Sequence, residues 1–482
     1  MKERSMRFPC NPARFWMITA VGTFIALAPA ARAAAPTAGN AAPGSAAGRL
    51  CGTQLHLWHS ESPRQLIFSK PVIRSSFFLA PDRNAVVNGY TLSVYTHLND
   101  NVAAKTVVRP APRYNQDMSD RTEVTALAAM PMRKTEALAF ARQMGIGWNL
   151  GNTLEACGGI KGNSIRDFET AWGNPVTSRA MIDGIKASGF RSLRIPVAWS
   201  NLIGPKPDYA INKELMARVE QVARYGLDDG MYVIINIHWD GGWIHRFSTD
   251  YDGCMTKYRA IWSQVASHFK GYSDHLIFES MNEEGSFDDL WNVYGGLPNQ
   301  KDKAYTLLNR INQEFTDLVR ASGGNNGRRY LLIAGYGTDI GHTVDPDFEM
   351  PRDPAHHSMV SVHYYSPPGF AILEKDASWG KAAYTWGTPA EVDAVKRDML
   401  PLKQRFLDQG IPVVVGEFGC PTVNKDPASV VKYLSTVCKT AASMGLVPML
   451  WDAGNIYDRH TCHFRDPRLA EAFARIAATP RP

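Results

Sequence analysis

From about residue 140 the chain repeats one unit: a short β-rich apolar run, a polar loop, then a helical stretch. Eight runs recur, at Met144–Leu150, Phe190–Val197, Met231–His238, His275–Asn282, Arg329–Tyr336, Met359–Tyr365, Pro412–Gly419 and Val447–Trp451. Several are apolar almost without a break, as in Met231-Tyr-Val-Ile-Ile-Asn-Ile237 and Ile411-Pro-Val-Val-Val-Gly416. An alternating strand has one wet face, whereas a continuous apolar strand must be covered on both, as parallel sheets are. Helical patterns such as Ser178–Ser188, Lys213–Asp229 and Ala304–Ala321 lie between the runs. Eight β–α units over about 340 residues predict a (β/α)8 TIM barrel with loop insertions. A doubly wound sheet shares the alternation, but no G-x-G-x-x-G follows an early strand and no Walker motif occurs. The strand count favours the barrel.

The region upstream is different in kind. Arg4, Arg7 and Arg14 precede or open the apolar stretch Phe15–Ala28, and Ala31-Arg-Ala33 follows it. A basic head, a short apolar run and a small-x-small end describe a secretory signal peptide over residues 1–33. The run is shorter than the roughly 20 residues a membrane span needs, so a secreted or periplasmic protein is expected, with no membrane association. Residues 34–49 read as a flexible linker rich in Ala, Gly and Pro. Residues 50–123 read as a small β-rich module, with strands at Gln65–Ser69, Val72–Leu79 and Gly89–Tyr95. Its aromatics Trp58, Tyr90 and Tyr95 either form its core or face a sugar. The barrel domain then spans 124–482.

Charge and cysteines narrow the partners. The leader carries five basic residues against one acidic, +4 of the chain's +6, and leaves +2 for the remainder. That surplus is too thin for a nucleic-acid face. Twelve Trp and 18 Tyr suit flat, amphipathic ligands such as sugar rings. Outside the leader stand Cys51, Cys157, Cys254, Cys420, Cys438 and Cys462, an even number in an oxidising compartment, so disulfides are expected. No C-x-x-C occurs, and no metal or other cofactor is implied.

In a TIM barrel the reactive groups sit where strands end. Here the ends carry Arg194, His238, Asn282, Glu283, His363, Tyr365, Glu417 and Trp451. Glu283 and Glu417 close the fourth and seventh runs, each after an apolar strand that desolvates it. Two carboxyl groups across a cleft are what glycosidic cleavage needs, one protonated to release the sugar oxygen and one charged to attack or stabilise the anomeric carbon.

On these residues the chain resembles glycoside hydrolase family 5, the cellulase family, over about residues 130 to 475. The resemblance rests on an ordered set of motifs: Gly145-Ile-Gly-Trp-Asn-Leu-Gly-Asn-Thr-Leu-Glu155, Ala171-Trp-Gly-Asn-Pro-Val176, Leu193-Arg-Ile-Pro-Val-Ala-Trp199, Phe278-Glu-Ser-Met-Asn-Glu283, Val362-His-Tyr-Tyr365 and Gly416-Glu-Phe-Gly419. It implies Glu283 as acid/base and Glu417 as nucleophile, with Asn282 on the sugar 2-hydroxyl. Arg194 and Tyr365 would flank the nucleophile and lower its pKa. His238 and His363 would line the cleft, and Trp451 would floor subsite −1. Near the first βα loop, Trp148, Asn149, Asn152, Trp172 and Asn174 are expected to shape the minus subsites. Trp243 either stacks on substrate or packs its loop, and Asp339 with His342 is read as holding a loop.

Two positions depart from the family pattern. Trp239 stands where a second His is common, and Glu284 where Pro commonly follows the acid/base. Strand pleating lets only one of Glu283 and Glu284 face the cleft. Glu283 is expected there because it follows Asn282, while Glu279 lies deeper and is structural. The resulting reading is a retaining endo-β-1,4-glucanase acting as a monomer on cellulose, mixed-linkage glucan or xyloglucan. A β-mannanase or xylanase on the same scaffold is the alternative, and a non-catalytic carbohydrate-binding barrel the rival from another class.

Overall fold

A computed structural model describes residues 136–482 except 294, 296 and 297, together with the backbone of three short strands upstream. Those strands, β1 (Ala85–Val87), β2 (Tyr90–Ser93) and β3 (Val107–Pro110), form an antiparallel sheet in that order. They belong to a compact unit separate from the barrel. β2 falls within the run expected at Gly89–Tyr95. The leader, the linker and the runs at Gln65–Ser69 and Val72–Leu79 lie outside the described residues.

Each of the eight later runs holds one strand: β4 (Gly147–Leu150), β5 (Ser192–Ile195), β6 (Tyr232–Asn236), β7 (Leu276–Glu279), β8 (Leu331–Ala334), β9 (Ser358–Tyr364), β10 (Val413–Phe418) and β11 (Val447–Asp452). They pair in parallel and in sequence order, and β11 closes the ring onto β4 through Met449 opposite Gly147. The expected TIM barrel is the fold. The intervening helices start where side chains satisfy their free N–H groups. Asn212 accepts from Glu214 and Leu215 before Lys213–Asp228, and Thr388 forms a capping box with Glu391 before Pro389–Arg405.

Strand pleating sorts the core. Val233 and Ile235 point out under the helices, whereas Tyr232 and Ile234 join Ile277, Leu332, Met359, Val414 and Met449 in a second cluster inside the ring. The helix Ala137–Met144 plugs the ring's lower end, where Phe140 stacks on Tyr330 with ring centroids 3.6 Å apart. Higher up the inward positions turn polar in two-residue steps. Met359 is followed by Ser361 and His363 along β9, and Ile234 by Asn236 and His238 along β6.

β10 breaks this rhythm. Its register against β9 shifts between Val415 and Glu417, so that Val415 faces Val362 while Glu417 faces His363. Val414 points in and Val415 out, so regular pleating would send Gly416 in and Glu417 out. The bulge turns both inward. Gly416 makes this possible, because a Cβ there would come within 3.1 Å of Ser361 Oγ and 3.3 Å of His363 Nε2.

Among the described residues, Cys157, Cys254, Cys420, Cys438 and Cys462 are all free thiols, and all but Cys462 are buried. Cys51 lies outside them. The disulfides expected from the even count are not formed among these five; Cys254, Cys420 and Cys438 are instead packed as small apolar side chains in the main core.

At the N-terminal end of β8, Arg329 is wholly buried and every one of its N–H groups is engaged. It donates to Phe269 O, Tyr272 O, Ser273 O, Leu276 O and Asn326 Oδ1 at 2.7–3.0 Å, tying the helix-to-β7 turn to the next strand. Arg329→Met keeps the length but orphans those acceptors. Equilibrium unfolding in denaturant should show a loss of about 3 kcal/mol or more. A loss below about 1 kcal/mol would mean that the clamp contributes little.

Candidate active site

The site is assembled around one cation. Arg194, at the C-terminal end of β5, is fully buried and reaches across the ring. Its Nε donates to Glu279 Oε2 at 2.7 Å, Nη1 to Glu417 Oε1 at 2.7 Å and to Asn149 Oδ1 at 3.0 Å, and Nη2 to Asn282 Oδ1 at 2.9 Å. Side chains from β4, β5, β7 and β10, with Asn282 just beyond β7, are thus fixed by one planar fork. Glu279 is fully buried and held from two further strands, by Asn236 Nδ2 at 3.0 Å and Ser361 Oγ at 2.7 Å. It supports the fork, as its depth in the strand suggested.

Glu417 receives a second bond on its other oxygen, from Tyr365 Oη at 2.9 Å. His363 links the two glutamates: its Nδ1 lies 2.7 Å from Glu283 Oε1 and 3.6 Å from Glu417 Oε2. These ligand atoms of Glu283, His363 and Glu417 all lie within 4.8 Å of one another. The trio has the make-up of a metal site, but Glu417 is already spent on Arg194 and Tyr365, and the adjacent guanidinium repels a cation. Glu283 is the accessible member, its side chain 19% exposed against 1% for Glu417.

Electrostatics separate the groups further. Burial pushes the Glu417 carboxyl up and the charge on Glu283 adds to this, against the pull of His363 and Arg194. The expectation that its neighbours lower its pKa is therefore overridden by desolvation. Burial, with the charges of Glu417 and Glu283, also lifts the Tyr365 phenol well above its ordinary range, so it remains a proton donor to Glu417. Burial, helped by the Arg194 charge, drops His238 well below the ordinary imidazole range, so its ring is neutral. That ring lies parallel to Trp451, with centroids 5.7 Å apart at 7°.

Glu284, the residue after Glu283, bonds the Asn282 side chain and feels the charges of Glu283 and Glu417. It is buried, its Oε2 has no hydrogen-bond partner, and burial together with the Glu283 charge pushes its carboxyl up to about 8. At neutral pH it is an uncharged acid.

Several residues expected to shape the cleft stand behind it instead. Asn149 is fully buried, and its Nδ2 is spent on Gly416 O, Met449 O and Leu450 O. Trp148 points outward and donates to Asp452 Oδ2. Asn152 is buried, and Asn174 spends its amide on Asn152 O and Ala453 O. Of that set only Trp172 keeps substantial exposure, and no bond joins it to the others. Trp243 packs its own loop, donating to Asp240 Oδ2 at 2.7 Å beneath Lys257. Asp339 accepts from His342 N, holding the turn after β8. Asn236 and Ser361, two residues before His238 and His363, also join the site and were not among the strand-end candidates. The alternation that puts Ile234 and Met359 inside the ring was the signal that would have found them.

A family model described as cellulase, glycosyl hydrolase family 5, matches residues 156–456. Endoglucanase A of Paenibacillus barcinonensis is 38% identical over 358 residues, covering 68% of this chain and 86% of that protein. A xyloglucan-specific endo-beta-1,4-glucanase of Bacteroides ovatus is 34% identical, covering 72% and 70% respectively. Among solved structures, a mutant family 5 lichenase from Caldicellulosiruptor sp. F32 in complex with cellotetraose aligns with a TM-score of 0.66 at 34% identity, over 72% of this chain and 97% of that one. A broad-specificity endoglucanase from an uncultured bovine rumen ciliate aligns with a TM-score of 0.64 at 34% identity, over 72% and 99%. Among the described residues no helix is long and apolar enough to cross a membrane. With a matching family model over most of the barrel and endoglucanase relatives across their own length, the chain belongs to glycoside hydrolase family 5 and is a glycoside hydrolase of the endoglucanase type.

Proposed function

We propose that this protein is a secreted, monomeric, retaining endo-β-1,4-glucanase that cleaves unbranched, mixed-linkage or xylosyl-branched glucans by double displacement. The carrying observation is the short separation of the glutamates, with a carboxylate oxygen of each inside the 4.8 Å group. Retaining enzymes hold their carboxyl groups about 5–5.5 Å apart, while inverting enzymes need about 6.5–9.5 Å to seat a water. The substrate range follows the relatives named for lichenase, broad-specificity and xyloglucan activity.

In this reading Glu417 is the nucleophile. Arg194 and Tyr365 occupy one oxygen each and hold the carboxylate in a single orientation. Glu283, more exposed and bonded to His363, protonates the departing sugar oxygen as Glu417 forms its bond to the anomeric carbon. Water then attacks that carbon, the Glu417 bond breaks, and Glu283 takes the proton. Two inversions give net retention. Trp451 and the neutral His238 ring form the wall under the −1 sugar. Residues 50–123 supply no catalytic group, since every member of the site lies within the barrel.

Proton NMR of the earliest product from a β-linked glucan should show the β-anomer; an α-anomer appearing first would overturn the double displacement. Glu283→Ala should slow natural substrates by several orders of magnitude yet spare activated aryl glycosides, with azide restoring rate as a β-glycosyl azide. Glu417→Ala should give at most the α-azide. Viscosity of a soluble β-glucan should fall well before reducing ends accumulate, whereas release of only glucose or cellobiose from the start would exclude endo cleavage.

Glu284→Gln separates the adjacent acid from the acid/base. Activity on poor leaving groups should stay within a few-fold, because the carboxyl is buried in the protein. The folded state holds a proton that the unfolded chain releases between about 4.5 and about 8, so stability falls as pH rises through that window. The variant lacks this titration and should gain stability relative to its parent as pH rises, by at most about 1.4 kcal/mol per pH unit. Unfolding at pH 5 and pH 8 measures it, and an unchanged difference would show that Glu284 is ionised throughout.

A further inference from the structure

Tryptophans on the C-terminal loops differ in how fully the protein uses them. Trp291 packs on Tyr305, Tyr336 and His342 with centroids 5.4–5.5 Å away. Trp199 donates its N–H to Asn236 O and Trp243 its own to Asp240. Trp239, directly after His238, is half-buried, and among the described residues it has no ring neighbour and no partner for its Nε1.

Glycines border this indole. A Cβ on Gly158, in the loop after β4, would lie 4.0 Å from Trp239 Cζ3, and one on Gly242 would lie 3.3 Å from Nε1. Gly158 and Gly242 both have positive φ, 80° and 72°, as do their neighbours Gly159 and Gly241 at 65° and 79°. Side-chain-bearing residues rarely adopt that backbone. At these two glycines no side chain stands against the indole, which stays partly exposed.

Its position gives direction. Trp451 ends β11, whose hydrogen-bonded neighbour is β4. A sugar chain continuing from Trp451 across β4 would reach the loop that holds Gly158, where a Cβ would lie 4.0 Å from Trp239 Cζ3. A β-glucosyl ring carries only axial C–H bonds on its faces and hydroxyls at its edge. A flat indole with a free N–H matches both.

Resting on the double-displacement reading above, we propose that Trp239 is the stacking platform for the glucosyl residue at −2, one step beyond the Trp451 floor, and sets affinity for the glycone chain. An imidazole at this position would offer the sugar a donor but little face.

Two probes separate this role from catalysis. An activated aryl β-cellobioside fills −2 and −1. A 2,4-dinitrophenyl 2-deoxy-2-fluoro-β-glucoside fills −1 alone, expels dinitrophenolate and leaves a fluoroglucosyl group on Glu417, counted by intact-protein mass. Trp239→Ala should lower kcat/KM on the cellobioside about tenfold or more, chiefly through KM, while the labelling rate by the fluoroglucoside stays within about twofold. Trp239→Phe, which keeps a flat apolar ring, should recover most of the loss. Unchanged cellobioside kinetics in Trp239→Ala would overturn the assignment, as would an equal fall with both probes or a Phe variant as impaired as Ala. A wild-type enzyme that hydrolyses the cellobioside with the α-anomer appearing first would instead sink the double displacement, and this inference with it.

Discussion

One buried guanidinium holds the upper half of this barrel together. Arg194 faces two carboxylates and two amide oxygens in a dry ring, leaving a local formal charge of −1 when Glu279 and Glu417 are both ionised. Removing either carboxylate from water costs several kcal/mol, and only close, well-directed bonds offset it. The geometry supplies them. Glu279 is bonded from three strands, and Glu417 from Arg194 and Tyr365. In the proposed double displacement that residual imbalance would have a use, because a carboxylate that is not fully compensated stays more basic and more nucleophilic than one locked into a perfect pair. The upward displacement of Glu417 reflects that incomplete compensation.

The same fork fixes what Asn282 can do. Its Oδ1 accepts from Arg194, so the amide cannot flip, and the same side chain also bonds Glu284. Asn149 is held in the converse sense, with Oδ1 on the guanidinium and Nδ2 on carbonyls of β10 and β11. One asparagine therefore orients a group beside Glu283 while the other seals the ring behind Glu417. Residue type alone does not separate these duties; the number of bonds already made does.

How far the sequence could be read follows from this. Strand positions and the polar strand ends were legible, because a period of two and a run of apolar residues survive as local patterns. So was the inward place of Glu279, four residues before Glu283. Three things were hidden. The bulge at Gly416 left no local mark beyond a glycine, although without it pleating would send Glu417 to the helices. Trp148, Asn149 and Asn174 are bonded to residues 267 or more positions away and Asn152 to Glu155 and Asn174, so a motif dense in sugar-friendly side chains proved to be mostly scaffold. The direction of the Glu417 displacement depended on weighing burial against its bonded neighbours, and a list of neighbours such as Arg194 and Tyr365 does not name burial. The even cysteine count misled for a related reason: it records composition, whereas pairing needs proximity.

The two ends of the ring use the same residue type in opposite ways. Arg329 at the lower end bonds four backbone carbonyls and an asparagine but no carboxylate, so each acceptor is neutral and fixed by secondary structure. Arg194 at the upper end bonds side chains, two of them charged, and through Glu417 and Asn282 it fixes groups set beside Glu283. A clamp on backbone stabilises without constraining chemistry; a clamp on carboxylates constrains chemistry at a desolvation cost. The apolar plug beneath, with Phe140 between Tyr330 and Tyr232, lets the lower end carry stability while the upper end holds charges that would be costly on their own. This division explains why a buried acid such as Glu284, one oxygen of which has no partner, can persist one residue from Glu283: the barrel's stability is secured at the opposite face.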